Sequence, residues 1–289
     1  MGYLIFVSLL WGFSFGLIKN QLSGLDANFV SFVRLSLAFL IFLPWLNIKN
    51  VQNKGMLLLI GAVQFGFMYI AYIFSYRYLQ AYQVALFTIF TPIYVALIND
   101  VLWKKFNPLH LAVALTAVIG TGIVLWNQAL ERVVWMGFGL VQISNICFAL
   151  GQVFYRKYRG GQTRLKSEMQ VFALLYLGAV IVTGSAALVT TDWAHLVVRP
   201  SQWLTFVYLG IVASGAGFFL WNFGATKVNA GSLAVFNNLK IPLAILIALL
   251  FFGEHAHIAR LVIGGTIIAA ALWFNEKRAM MESSATEFE

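Results

Sequence analysis

From Gln80 the chain reads QAYQVALFTIFTPIYVALI, and from Ala230 it reads AGSLAVFNNLKIPLAILIALL. Both are apolar runs long enough to cross a bilayer core of ~30 Å as helices. Each carries one proline near its middle. Setting Pro92 on Pro242 gives an offset of 150 residues. Ala81 then meets Gly231, Val84 meets Ala234 and Thr88 meets Asn238. The basic residue in the short polar turn before each run, Arg77 or Lys227, keeps the same offset. Two copies of one unit are therefore written into the chain, and long-period repeats of this kind decide an architecture.

Working outward, further apolar runs appear. Together they occupy approximately 3–18, 29–46, 55–76, 81–98, 110–126, 133–155, 169–190, 202–221, 231–252 and 258–274. The connections are short and carry breakers such as Asn107-Pro108, Gly160-Gly161 and Arg199-Pro200. The N-terminus lacks a basic leader region, so residues 3–18 read as a retained helix that extends through Lys19 and Asn20 by snorkelling. Composition agrees with a lipid-embedded chain: 61% hydrophobic, only 10% charged, mean hydropathy +0.84. Soluble domains carry about 25% charged residues.

The net charge is +9. In a soluble protein such a balance points to nucleic acid. Here the basic residues sit in short loops, and topology explains them. With the N-terminus in the cytoplasm, the inner loops and tail hold Lys49, Lys54, Lys104, Lys105, Arg156, Lys157, Arg159, Arg164, Lys166, Lys227, Lys277 and Arg278. The outer loops hold Lys19, Arg77, Arg132, Arg199 and Arg260, while Arg34 and Lys240 fall within spans. That bias obeys the positive-inside rule. The expectation is an all-α integral membrane protein with ten transmembrane helices in two inverted five-helix repeats. The first repeat covers 1–130, the second 131–277, and a cytoplasmic tail 278–289. Both termini face the cytoplasm. Five spans per repeat reverse orientation on repetition, an arrangement that places substrate sites near the midplane between the halves.

At this point the chain resembles the EamA-type branch of the drug/metabolite transporter superfamily. The resemblance rests on WGFSFGLIKN from Trp11 and on Phe32-Val33-Arg34. It rests also on the paired prolines, on Phe252-Gly253-Glu254 closing the ninth span, and on Gly264-Gly265 in the last. The first half departs from the pattern, with Lys104 where Glu254 would map. The resemblance implies ten helices, cytoplasmic termini, a bacterial inner-membrane location and a central cavity lined by spans 1, 3, 4, 6, 8 and 9. It also implies export or exchange of small metabolites, often amino acids.

Lys240 is the sharpest local signal. It lies about nine residues into the ninth span, roughly 13 Å along the helix. A charge at that depth costs about 2.5–3.5 kcal/mol on insertion scales. All ten acidic residues map to loops, span ends or the tail, so a substrate carboxylate or phosphate is the anion that suits it. The competing reading is a structural lysine bonded to carbonyls and water. Asn237 shares its helix face. Pro242 and Pro92 cannot donate to the carbonyls of Asn238 and Thr88, which leaves acceptors at repeat-related positions and makes each proline a hinge candidate. Plain kinks are the alternative.

The candidate substrate-binding set is Lys240, Asn237, Asn238, Thr88, Thr91, Tyr72, Gln64, Trp11, Ser14, Asn145, Trp221 and Asn222. Tyr69, Tyr94, Gln142 and Gln152 are further polar residues of the same helices, each equally suited to bonding helix to helix. Arg34 reads as snorkelling towards the outer surface with a structural carbonyl contact, or as a residue of an outer gate or of substrate entry. Glu254, His255 and His257 are too few and too divergent for a metal site, and read as interfacial. Cys147 is a small residue in an apolar run.

No catalytic or nucleotide-binding motif is present, so neither an enzyme nor an ATP-driven pump is expected, and no cofactor or metal is called for. The expected partners are a small-molecule substrate and membrane lipid, not nucleic acid, with the chain a monomer or homodimer. The functional expectation is a secondary transporter of amino acids or related carboxylate-bearing solutes. Phosphorylated or nucleotide-linked solutes are the first alternative. A membrane enzyme or a non-transporting membrane protein is the alternative of another class.

Overall fold

The computed structural model describes residues 2–46, 53–103, 132–159, 165–225 and 230–286, with scattered positions between 112 and 123. Among these residues every regular element is helical and there is no strand. In hydrocarbon the backbone must satisfy its own hydrogen bonds, and long apolar segments can do so only as helices or closed barrels.

Among the described residues seven helices are long and apolar enough to cross a membrane. They are α1 (Gly2–Leu22), α2 (Ala27–Trp45), α3 (Lys54–Ser75), α4 (Ala81–Leu102), α5 (Val133–Tyr158), α6 (Glu168–Thr190) and α7 (Pro200–Gly224). Two more follow, α8 (Ala230–Phe251) and α9 (Ile258–Thr286). Their described apolar stretches, Lys240–Phe251 and Ile258–Ile267, are shorter. Thus α1–α4 correspond to the first four expected spans and α5–α9 to the sixth through tenth. The expected fifth span, and with it the count of ten, lies largely outside the described residues.

Hydroxyls inside the spans bond back to their own helices. Ser31 donates to the Ala27 carbonyl and Thr183 to that of Ala179, so these buried hydroxyls are satisfied within their own helices. Apolar side chains cover the outside: Leu188, Val189, Leu204, Leu250 and Phe251 are all at least 70% exposed, as a lipid-facing surface requires.

The packing has a pattern. α1 lies along α8, and α4 along α5; α2 packs on α7, and α3 on α6; α1 meets α7, and α3 meets α5; α2 meets α6, and α4 meets α8. The closest approach is at a glycine pair. A Cβ on Gly61 would stand 1.9 Å from the Leu175 carbonyl oxygen, and one on Gly178 would stand 2.0 Å from that of Leu58. Only glycine lets α3 and α6 touch backbone to backbone there.

One end of the bundle is knit by polar contacts. Lys19 donates to the Tyr76 carbonyl at 2.8 Å, so it does not snorkel outward as the sequence suggested. Gln202 donates to the Gln21 carbonyl at 2.8 Å, Thr191 donates to Asp26 at 2.8 Å, and Arg77 pairs with Asp26 at 3.8 Å. Glu254 is the strongest member. Expected at an interface, it is 9% exposed and accepts from the backbone N–H groups of Ala81 at 2.7 Å and Tyr82 at 3.0 Å. A carboxylate thereby caps the first turn of α4, where unpaired donors and the helix dipole favour negative charge. Gly253, at φ +64°, turns the chain to bring it there.

Candidate functional site

Helix α1 brings Trp11, Ser14 and Phe15 to the centre of the bundle. α3 adds Met68, Tyr69 and Tyr72, α4 adds Thr88 and Thr91, and α5 adds Ser144, Asn145 and Phe148. α2, α7 and α8 contribute Arg34, Phe218 and Lys240. Together these side chains line one cavity of about 600 Å³, counted out to its open mouth.

Two cations reach it from different stretches of the chain. Lys240 is 8% exposed and its Nζ stands 5.1 Å from the Trp11 ring centroid, a cation–π contact. Arg34 is 3% exposed. Its Nη2 donates to the Tyr69 hydroxyl and to Ser214 Oγ, both at 3.2 Å, and its Cζ lies 4.7 Å from the Tyr69 ring centroid. The expected snorkelling arginine is therefore a buried cavity residue. α2 begins at Ala27, which places Arg34 deeper than the sequence suggested, and neighbouring helices cover it. No Asp or Glu is among the described residues that line the cavity.

The walls are aromatic. Trp11 packs on Phe218 at 4.8 Å and on Trp221 at 5.0 Å between centroids, while Phe15 meets Tyr72 edge-on at 6.0 Å. Trp11 is fixed from α7, donating Nε1 to the Ala213 carbonyl at 2.9 Å. That carbonyl belongs to a π-helical stretch, Tyr208–Ala216, and α3 has a similar one at Ala62–Phe67. Such turns are frequent at functional sites.

Around Pro92 the helix is broken by a 3₁₀ turn, Thr88–Phe90. The Thr88 carbonyl, expected to be left open, accepts from Thr91 Oγ1 at 2.8 Å. The Phe87 carbonyl accepts from Asn145 Nδ2 at 2.8 Å, and Thr91 Oγ1 also contacts Asn145 Oδ1 at 3.2 Å. Local hydroxyl and amide donors thus take the place of the N–H that proline lacks. Pro242 sits inside the continuous α8.

Of the expected site residues, Lys240, Trp11, Ser14, Tyr72, Thr88, Thr91 and Asn145 meet in the cavity. Three do not. Gln64 is fully buried against Gly151, Trp221 is fully buried behind Trp11, and Asn222 bonds to the Phe218 carbonyl of its own helix at 2.9 Å. The side chains of Asn237 and Asn238 lie outside the described residues. Arg34 was missed as a cavity residue, although its charge within a span was the available signal.

The family model for the EamA-like transporter family matches residues 1–130 and again 135–275. The chain is 40% identical over 278 residues to a protein of Pseudomonas aeruginosa named as a probable biotin transporter, covering 95% of this chain and 97% of that one. It is 38% identical over 290 residues to the biotin transporter of Escherichia coli, and 37% identical to that of Salmonella typhimurium, each covering 99% of this chain and 96% of the relative. A solved crystal structure shares the fold, with a TM-score of 0.66 at 16% identity, over 93% of this chain and 94% of its own. With its helical membrane fold, its central cavity and these relatives, the chain is a multi-pass membrane transporter and not an enzyme, and it belongs to the EamA-like transporter family of the drug/metabolite transporter superfamily.

Proposed function

We propose that this protein carries biotin, or a close carboxylate-bearing relative of it, across the bacterial inner membrane by alternating access. The observation that carries the reading is the cavity itself. It holds two buried cations, Arg34 and Lys240, between aromatic walls, with no carboxylate in its described lining. Biotin presents one carboxylate, an apolar chain and sulfur ring, and a ureido group with both donors and acceptors. The cations suit the first and the Trp11, Phe15 and Phe218 faces the second. Asn145 and Thr91, which already exchange hydrogen bonds with the broken turn of α4, suit the third. The amino-acid exporter expected from the sequence narrows to its chemical core, an anion-bearing metabolite. The relatives' names point to biotin rather than an amino acid and give no direction of transport.

The mechanical part of the proposal is a ten-span chain of two inverted repeats with both termini in the cytoplasm. The helix packing supports it. Exchanging each span for the one five places on turns the α1–α8 contact into α5–α4, α2–α7 into α6–α3, and α1–α7 into α5–α3; the α2–α6 and α4–α8 contacts map onto themselves. A pseudo-twofold axis has this signature, and two such halves can trade inward- and outward-open shapes. On this orientation the knit end containing Glu254 is the outer one.

The solute is tested by thermal stabilisation of the purified protein in detergent with biotin, amino acids, phosphorylated solutes and amines. Biotin is expected to raise the melting temperature at the lowest concentration. Stabilisation by a phosphorylated solute or an amine, with none by biotin, would refute the reading. Orientation is tested with Asp192→Cys in a Cys147→Ser background, since Asp192 is exposed between α6 and α7. An impermeant thiol reagent should label it from the periplasm, and labelling from the cytoplasm alone contradicts the topology.

A further inference from the structure

Two cations line the cavity. Lys240 sits over the Trp11 face. Arg34 has five N–H donors, and its Nη2 pair is used on Tyr69 and Ser214. Its Nε and Nη1 donors have no acceptor. The oxygens it touches are themselves committed. Ser214 Oγ donates to the Leu209 carbonyl at 2.6 Å, and the Tyr69 hydroxyl lies 2.7 Å from Ser214 Oγ. A guanidinium that is 3% exposed, belongs to a residue lining the cavity and keeps two buried donors unpaired is costly to bury without an anion.

From this we infer that Arg34 is the anchor for the solute's carboxylate, which takes up the unpaired Nε and Nη1 donors, while Lys240 adds charge from the other repeat. The inference rests on the biotin reading above and sharpens it to one residue. Tyr69 holds the guanidinium from α3, just past its π-helical stretch, and Ser214 holds it from within that of α7, so the anchor is fixed before the solute arrives. An arginine there gives a planar donor set that a lysine cannot reproduce.

The test compares biotin with its uncharged primary amide as competitors for binding of labelled biotin to the detergent-purified protein. The native protein should prefer the carboxylate. Arg34→Gln should lose about 10- to 100-fold of that preference, the range expected for removing a charge-assisted hydrogen bond. Lys240→Met should lose less. Arg34→Lys, which keeps the charge, serves where Arg34→Gln does not yield monodisperse protein, and it too should show a reduced preference. An unchanged preference in the folded Arg34 variant overturns the anchor and leaves biotin transport standing. Loss of the preference in Lys240→Met but not in the Arg34 variant overturns it equally. A native protein that does not bind biotin at all overturns both this inference and the reading on which it rests.

Discussion

Replacing Glu254 with Gln removes the charge from the contact that joins the turn after α8 to the start of α4. The native carboxylate spends one oxygen on the Ala81 N–H at 2.7 Å and the other on the Tyr82 N–H at 3.0 Å. A carboxamide offers one carbonyl oxygen and turns an NH₂ group towards the second donor. One charge-assisted bond is lost, at about 1.5–3 kcal/mol, together with the charge at a helix N-terminus, at about 0.3–1 kcal/mol. The sum is about 2–4 kcal/mol against the closed state of that end. At 1.4 kcal/mol per decade, the closed-to-open ratio falls by about 30- to 700-fold. The readout is chemical access to the cavity. Ser144, a lining residue 4% exposed, becomes the reporter as Ser144→Cys in a Cys147→Ser background. Intact cells are treated with a membrane-impermeant maleimide. Glu254→Gln is expected to raise the labelling rate at least about tenfold over native Glu254. An equal or slower rate would show that this carboxylate does not hold the proposed outer end shut.

Other consequences are simpler to measure. Lys240→Met should weaken biotin binding by about 0.5–1.5 kcal/mol, read from displacement of labelled biotin, and unchanged affinity would take Lys240 out of the binding set. Gly61→Ala and Gly178→Ala should each destabilise the protein by about 1–3 kcal/mol through forced separation of α3 and α6. The double variant should cost less than the sum, since both press on one contact; additive melting shifts would contradict that geometry. Asn145→Leu strips the Phe87 carbonyl of its donor at the 3₁₀ turn. It should cost about 1–3 kcal/mol, seen as a lowered melting temperature, and no loss would mean that α4 re-satisfies that carbonyl by itself.

Much of this was legible from local rules. Apolar run length located α1–α7 to within a few residues, because in a bilayer length and hydropathy are themselves the constraint. Lys240 was found by depth alone. What failed were inferences that needed a helix's rotation or its partner. Gln64, Trp221 and Asn222 were grouped with the cavity by the span they occupy, but their side chains point into packed contacts. Arg34 looked as if it could reach the surface because its predicted span began later than α2 does, and sequence does not show that other helices cover it. The Thr88 carbonyl was reasoned from the missing proline N–H, which was sound. The donors that replaced it, on Thr91 and Asn145, depend on χ angles and on a neighbouring helix. Glu254 read as a loop residue because its partners, Ala81 and Tyr82, are more than 170 residues away in the chain.

Whether this cavity moves biotin is decided by counterflow in proteoliposomes loaded with unlabelled biotin. Labelled biotin added outside should accumulate transiently above its equilibrium level. An excess of external unlabelled biotin should abolish the overshoot, and external amino acids should leave it intact. No overshoot with biotin, alongside one in vesicles loaded with an amino acid or a phosphorylated solute, would contradict the account.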